Sequence, residues 1–210
     1  MPILVETAYL PPIRYMAEVL RAEGVVIEIF ETYQKQTCRN HCAIYGPNGT
    51  QILSIPVVKV NGNHTQTKDI RISDHQPWQK IHWRSIETAY NNSPFFLFYQ
   101  DLFAPYYEKK FNFLFDFNLA LLQVVLGIVK IRRPLILSGF YEKTPVGITD
   151  RRGKLVQKTS NVVGHYPRYI QVFEPRHGFI PGLSVIDIIF NLGPESQNYI
   201  RSCSDLLLTE

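Results

Sequence analysis

The sequence is informative first for what it lacks. Cysteine is scarce: Cys38, Cys42 and Cys203 are an odd number, and no CxxC pair occurs. A disulfide framework is not indicated, and free thiols in a reducing cytoplasm are expected. The run Cys38-Arg39-Asn40-His41-Cys42 gathers metal-ligand residue types. In an extended chain, however, Cys38, Asn40 and Cys42 share one face while His41 points away. With no second ligand cluster elsewhere, no metal site is expected. The opening Met1-Pro2-Ile3-Leu4-Val5-Glu6 lacks the basic region and long apolar core of a secretory signal. The best apolar run, residues 111–129, contains Asp116, Asn118 and Gln123. It falls short of the roughly 20 apolar residues a membrane span needs and reads as a buried central helix.

Familiar catalytic signatures are missing as well. No GxGxxG follows a strand, no phosphate loop ending in Gly-Lys-Ser/Thr occurs, and there is no GxSxG elbow. Neither HExxH nor an Asp-x-Asp pair is present. These absences disfavour the usual dinucleotide enzymes, α/β-hydrolases, zinc hydrolases and many metal-dependent sugar transferases. The residues name no cofactor, and they do not give an oligomeric state.

What is present describes a globular chain of 210 residues, 45% hydrophobic and 19% charged. Aromatics reach 13% and recur as Tyr-Phe clusters, suited either to a core or to a groove for sugars. The net charge of +4 is too small to indicate DNA. The excess is local: Lys130, Arg132, Arg133, Lys143, Arg151, Arg152, Lys154, Lys158 and Arg168 face only Glu142 and Asp150. Such a stretch attracts a phosphate-bearing ligand or is simply a solvated basic face.

The pattern predicts an α/β fold, a single domain over residues 1–210, with a mixed sheet flanked by helices. Residues 3–5 and 25–30 read as strands joined by a helix over about 13–22, which Pro12 opens and Gly24 stops. That unit allows parallel pairing. Gly46-Pro47-Asn48-Gly49 marks a hairpin. A helix follows Pro77, with Asp74 as a capping residue. Leu135-Ile136-Leu137-Ser138 is a short strand, and Tyr169-Ile170-Gln171-Val172-Phe173 a late one. Ser184 and Asp187 fit a capping box.

Chemically useful groups are densest in residues 31–41, directly after the second strand. His82 falls on the apolar face of its helix, where it is either a hydrogen-bonded core histidine or a base tuned by burial. Glu31 and Arg39 form either a structural ion pair or part of a site.

The order of short motifs resembles the WbqC-like proteins, in the forms found in Bacteroidetes-type bacteria. Thr7-Ala8-Tyr9-Leu10-Pro11-Pro12 is followed by Glu31-x-Tyr33-x-Lys35-Gln36-Thr37-x-Arg39-Asn40, then by Leu53-Ser54-Ile55-Pro56-Val57. Trp78-x-x-x-His82-Trp83, Ala89-Tyr90-x-x-Ser93-Pro94 and Tyr169-x-Gln171-x-Phe173 continue the series. Two departures stand out: Arg39-Asn40-His41 replaces Arg-Asn-Arg, and Glu6 is unusual ahead of Ala8-Tyr9. The resemblance implies a role in O-antigen and related surface-polysaccharide synthesis, with glycine transfer to a sugar proposed for one branch.

On that basis the expected activity is a transferase acting on a surface-polysaccharide precursor by acyl or aminoacyl transfer. The alternative is a non-catalytic module that binds a nucleotide-sugar or glycan intermediate. Glu31 or His82 would serve as general base. Arg39 and Arg152 would hold phosphate or carboxylate through their planar forks. Tyr9, Tyr15, Tyr33, Gln34, Lys35, Asn40, Asp150 and Lys158 complete the expected substrate-binding set. The expected partner is a sugar or phosphate-bearing small molecule, with no DNA and no membrane span.

Overall fold

A computed structural model of the protein describes residues 1–155 and 166–206. The chain begins with β1 (Ile3–Glu6), an apolar strand closed by an acid. After Pro11-Pro12 comes α1 (Ile13–Arg21), and Pro12 supplies the extended residue before its first turn. Strand β2 (Val25–Glu28) repeats the pattern of apolar residues closed by a glutamate. The hairpin β3 (His41–Gly46) and β4 (Gly49–Ser54) follows, and Gly49 takes the φ of +98° at its tip. A second antiparallel pair joins β5 (Val57–Val58) to β6 (Arg71–Ile72).

Three helices come next: α2 (Trp78–Tyr90), α3 (Phe96–Glu108) and α4 (Leu114–Ile128). Then β7 (Leu135–Leu137) and β8 (Thr149–Asp150) complete the main sheet. The short α5 (Glu174–His177), the apolar α6 (Val185–Leu192) and α7 (Ser196–Leu206) close the described chain. Among the described residues no helix is long and apolar enough to cross a membrane.

The main sheet has the order β7-β2-β1-β8 and is parallel throughout. The α/β class therefore holds, with helices beside a parallel sheet. Among the described residues antiparallel strands form only the two separate ribbons, beside three isolated bridges. Ile3, Leu4, Val5 and Glu6 lie beside Val25, Val26, Ile27 and Glu28. Chain order runs outward from β1 through β2 to β7, then returns to β8 on the other side of β1. The reversal creates a switch point beside β1, and open parallel sheets bind ligands outside the carboxyl ends of strands at such points.

Helix α6 anchors the second layer. The ring of Phe190 meets those of Tyr90, Phe96 and Phe103 at 5.1–5.6 Å between centroids. Burying each such aromatic contributes about 1.5–3 kcal/mol. Gly193 ends α6 with φ +53°, and a Cβ there would approach the Phe95 ring to 2.5 Å, so both conformation and space require glycine.

Three local expectations change. Residues 169–173 form no strand, because Tyr169 and Gln171 turn inward to bond Asp187 rather than a neighbouring strand. Asp74 does not cap α2: Pro77 occupies that position without a side-chain bond, and Asp74 pairs with Lys110 at the surface. Ser184 does accept a 3.5 Å bond from Ile186 N at the start of α6, but the Asp187 carboxylate is committed to Tyr90, Tyr169 and Gln171.

Candidate functional site

The carboxyl edge of the parallel sheet gathers acids from three strands. Glu6 ends β1 and Glu28 ends β2 in register with it, so both side chains leave the same face. Asp150 ends β8. Local sequence explains the arrangement: each apolar strand stays buried until its acid reaches the edge, where polar partners are available.

Arg152 ties the edge together. Its Nη1 donates to Glu28 Oε2 at 3.0 Å, while Nε and Nη2 donate to the two Asp150 oxygens at 3.0 and 2.7 Å. Nη2 also donates to the Glu142 carbonyl at 2.8 Å, and the guanidinium lies 5.0 Å from the Tyr141 ring centroid. The Arg152 hydrogen bonds hold the Asp150 carboxyl below the usual carboxylate range. Ser138 Oγ donates to Glu28 Oε1 at 2.8 Å, and Phe30 N donates to the same oxygen at 2.8 Å. Glu28 is thus fully engaged.

Glu6 is not. It is 0% exposed, yet among the described residues its carboxylate has one hydrogen-bond donor, the Gly153 N–H, shared between both oxygens at 3.1 Å. Burial pushes its pKa up, and the nearby Arg39 charge opposes that in part. Gly153, at φ +70°, is exposed, so a thin backbone turn covers this base.

Behind the edge lies the segment 31–41. Arg39 is 1% exposed and grips Glu31 with two parallel bonds, Nε to Oε1 at 2.7 Å and Nη2 to Oε2 at 2.8 Å. Burial works against the Arg39 charge, but the Glu31 hydrogen bonds and charge win and raise its pKa. Thr37 Oγ1 accepts from Arg39 Nη1 at 3.1 Å, and Asn118 Nδ2 donates to the Arg39 carbonyl. Glu6 feels the charges of both Arg39 and Glu31, which links this pair to the edge. Tyr15 also belongs here, with its hydroxyl on the Glu6 carbonyl at 3.0 Å. Tyr33 is buried, and its hydroxyl has no hydrogen-bond partner among the described residues.

His82 occupies a separate core. Its Nδ1 lies 2.9 Å from the Tyr9 hydroxyl, which lies 2.9 Å from that of Tyr107. Burial lowers the pKa of the ring to about 4, although the Ser54 backbone beside it favours the charged form, so the ring is neutral near pH 7. Trp78 packs edge-on against it, 5.2 Å away.

The expected residues therefore fall into three groups. Asp150 and Arg152 meet at the edge. Glu31, Arg39, Tyr15 and Tyr33 stand behind it. Tyr9 and His82 share the aromatic core. Asn40 is buried with Nδ2 on the Ile55 carbonyl at 3.0 Å, while Gln34 and Lys35 are exposed on the loop. Lys158 lies outside the described residues. Sequence reasoning placed none of Glu6, Glu28, Ser138 and Tyr141 in the site, and marked Glu6 only as a departure from the family pattern. The available signal was an acid closing each of two successive apolar strands. Among the described residues no group of three or more His, Cys, Asp or Glu has the arrangement to hold a metal ion.

The edge offers more acceptors than donors. Two carboxylates and a backbone carbonyl share one guanidinium, most of whose N–H groups are already used. Sugar hydroxyls, which donate readily, suit such a surface, and the half-exposed Tyr141 ring suits the face of a pyranose.

A family model described as the WbqC-like protein family matches residues 7–161. That range includes segment 31–41, His82 and residues 150–152, while Glu6 lies one position ahead of it. Among curated proteins, uncharacterized protein Rv1507c of Mycobacterium tuberculosis is 28% identical over 226 residues, covering 95% of this chain and 97% of the relative. No solved structure matches the chain.

Proposed function

Because this chain belongs to the WbqC-like protein family, we propose that it is a transferase that modifies a surface-polysaccharide precursor, by acyl or aminoacyl (glycine) transfer, at the carboxyl edge of its parallel sheet. The observation that carries this reading is Arg152 bridging Glu28 and Asp150 beside the switch point, with Glu6 in register with Glu28 and held by the Gly153 N–H. Asp150, whose side chain is partly exposed, accepts sugar hydroxyls, while Glu28 fixes Arg152. Arg152 orients both carboxylates and presents its remaining Nη1 hydrogen to an anionic group. Glu6 takes the proton of the attacking hydroxyl or amine, since burial makes it a stronger base than an exposed glutamate. Glu31 and Arg39 set the field around Glu6 and act as positioning residues.

A panel of nucleoside diphosphate sugars and sugar 1-phosphates, with acyl thioesters and aminoacyl-tRNA as donors, tests the reading by mass spectrometry of the acceptor. Glu6→Gln is expected to abolish transfer while leaving the affinity for UDP-glucose within about threefold, as removal of a proton acceptor without loss of shape requires. Transfer that survives Glu6→Gln would sink the assignment of the base.

The second reading is a binding module without chemistry. It is favoured by one observation: Glu31 and His82 already have their hydrogen-bonding partners within the fold, so neither is free to move a substrate proton. It predicts ligand binding at the edge with no transfer from any donor.

A further inference from the structure

Residues 138–148 leave the carboxyl end of β7 at one side of the sheet and lead back to the amino end of β8 at the other. The inner side of this strap is fastened to the site, by Ser138 on Glu28 and by Arg152 on the Glu142 carbonyl and the Tyr141 ring. Two of the strap's apolar side chains are exposed. Phe140 is 69% exposed and Val146 88%, with Ile136 and Leu137 also exposed on the adjoining edge strand. Single exposed apolar residues are ordinary, but Phe140 and Val146 stand far out on one short connection with Lys143 between them, which points to a partner.

The charge around the patch indicates which partner. Between Lys130 and Leu155 seven Lys and Arg residues face only Glu142 and Asp150, and Asp150 is already bound to Arg152. Lys143 and Lys154 are exposed and form no ion pair among the described residues. A two-fold contact through the strap would bring the lysines of two copies together, and the three-residue β7 is too short to extend a sheet firmly. Apolar side chains flanked by free ammonium groups instead match the interface of an anionic bilayer.

We propose that this strap is a membrane-docking element that seats the mouth of the site on an anionic lipid surface, so that the site takes a sugar carried on a lipid at the bilayer face. The lipid-borne substrate rests on the reading of the carboxyl edge as the working site. The docking itself rests only on the strap. Phe140 and Val146 enter the headgroup boundary, Lys143 and Lys154 meet lipid phosphates, and the chain remains peripheral.

Vesicle flotation of the full chain tests this, with phosphatidylcholine vesicles that contain or lack phosphatidylglycerol. The protein is expected to float with the anionic vesicles and to dissociate as salt is raised. Phe140→Asp combined with Val146→Asp should lower the bound fraction about tenfold or more. Lys143→Glu combined with Lys154→Glu should lower it about tenfold on anionic vesicles only. Thermal unfolding and lipid-free affinity for UDP-glucose are expected to be unchanged by the Phe140 and Val146 substitutions. Failure of docking is thereby distinguishable from failure of the site, which would show as no affinity for the sugar nucleotide in any form of the protein. Absence of flotation, or flotation of the aspartate double variant at the parent level, overturns the proposal. So does lipid-free self-association that the same double variant abolishes, which would assign the patch to a second copy.

Discussion

Asp187 and Glu6 are both carboxylates without solvent exposure, and burial raises the pKa of each. Their surroundings differ. Asp187 lies on α6 and receives Tyr90, Tyr169 and Gln171 side chains, so its oxygens are saturated by neutral donors from two other parts of the chain. Glu6 lies at the edge of the sheet and shares one backbone N–H. The first holds layers together, while the second keeps acceptor capacity beside a switch point. A raised pKa alone does not distinguish Asp187 from Glu6 in this fold; the account of hydrogen bonds does.

The sharpest way to break that comparison is to remove partners. Arg39→Met leaves Glu31 buried without its cation and should cost about 3–5 kcal/mol of stability, measured by urea unfolding. A loss below about 1 kcal/mol would mean that the pair is more hydrated than its burial indicates. Asp187→Ala leaves two phenols and an amide without their acceptor, and should cost about 3 kcal/mol.

His82 gives a pH test of the aromatic core. Its pKa falls from 6.5 in the unfolded chain to about 4 in the fold, so the folded state resists protonation. The unfolded state then binds the extra proton, and stability is lost as pH falls from about 6.5 to about 4. The full difference corresponds to about 3 kcal/mol. His82→Gln should flatten that part of the stability profile relative to the parent. An unchanged profile would show that the ring is not held neutral.

Glu6→Gln should have the smallest effect on stability, about 1 kcal/mol or less at neutral pH, because one shared N–H is all that is lost. The sign with pH is also defined. A carboxyl whose folded pKa is raised favours the fold most when protonated, so its contribution declines as pH rises through the folded value. The variant should therefore gain on the parent between acid and neutral pH. A large loss of stability on Glu6→Gln would place Glu6 with Asp187 as a structural acid.

Much of this architecture was legible in the chain. The β1-α1-β2 unit followed from two apolar strands, a proline-opened helix and Gly24, and the hairpin followed from Gly46-Pro47-Asn48-Gly49. Thr149–Asp150 was not legible as a strand, since two residues carry no periodicity and their pairing with Ile3 and Leu4 is set by tertiary structure. The alternation of Tyr169, Gln171 and Phe173 imitated a strand because inward side chains produce the same pattern with or without a neighbour. Polar density drew attention to segment 31–41, where the structure closes Glu31 on Arg39. The edge drew less, because Glu6, Glu28 and Asp150 are far apart in sequence and only parallel register brings them together.

The most direct test of the central claim is an amide shift map of the isotope-labelled protein as UDP-glucose is added. Shifts concentrated at Ser138, Asp150, Arg152 and Gly153, with Tyr169, Gln171 and Asp187 unmoved, are the predicted result. Shifts centred on Asp187 and its partners, or on His82 and Tyr9 with the edge silent, would contradict the assignment of the carboxyl edge as the working region.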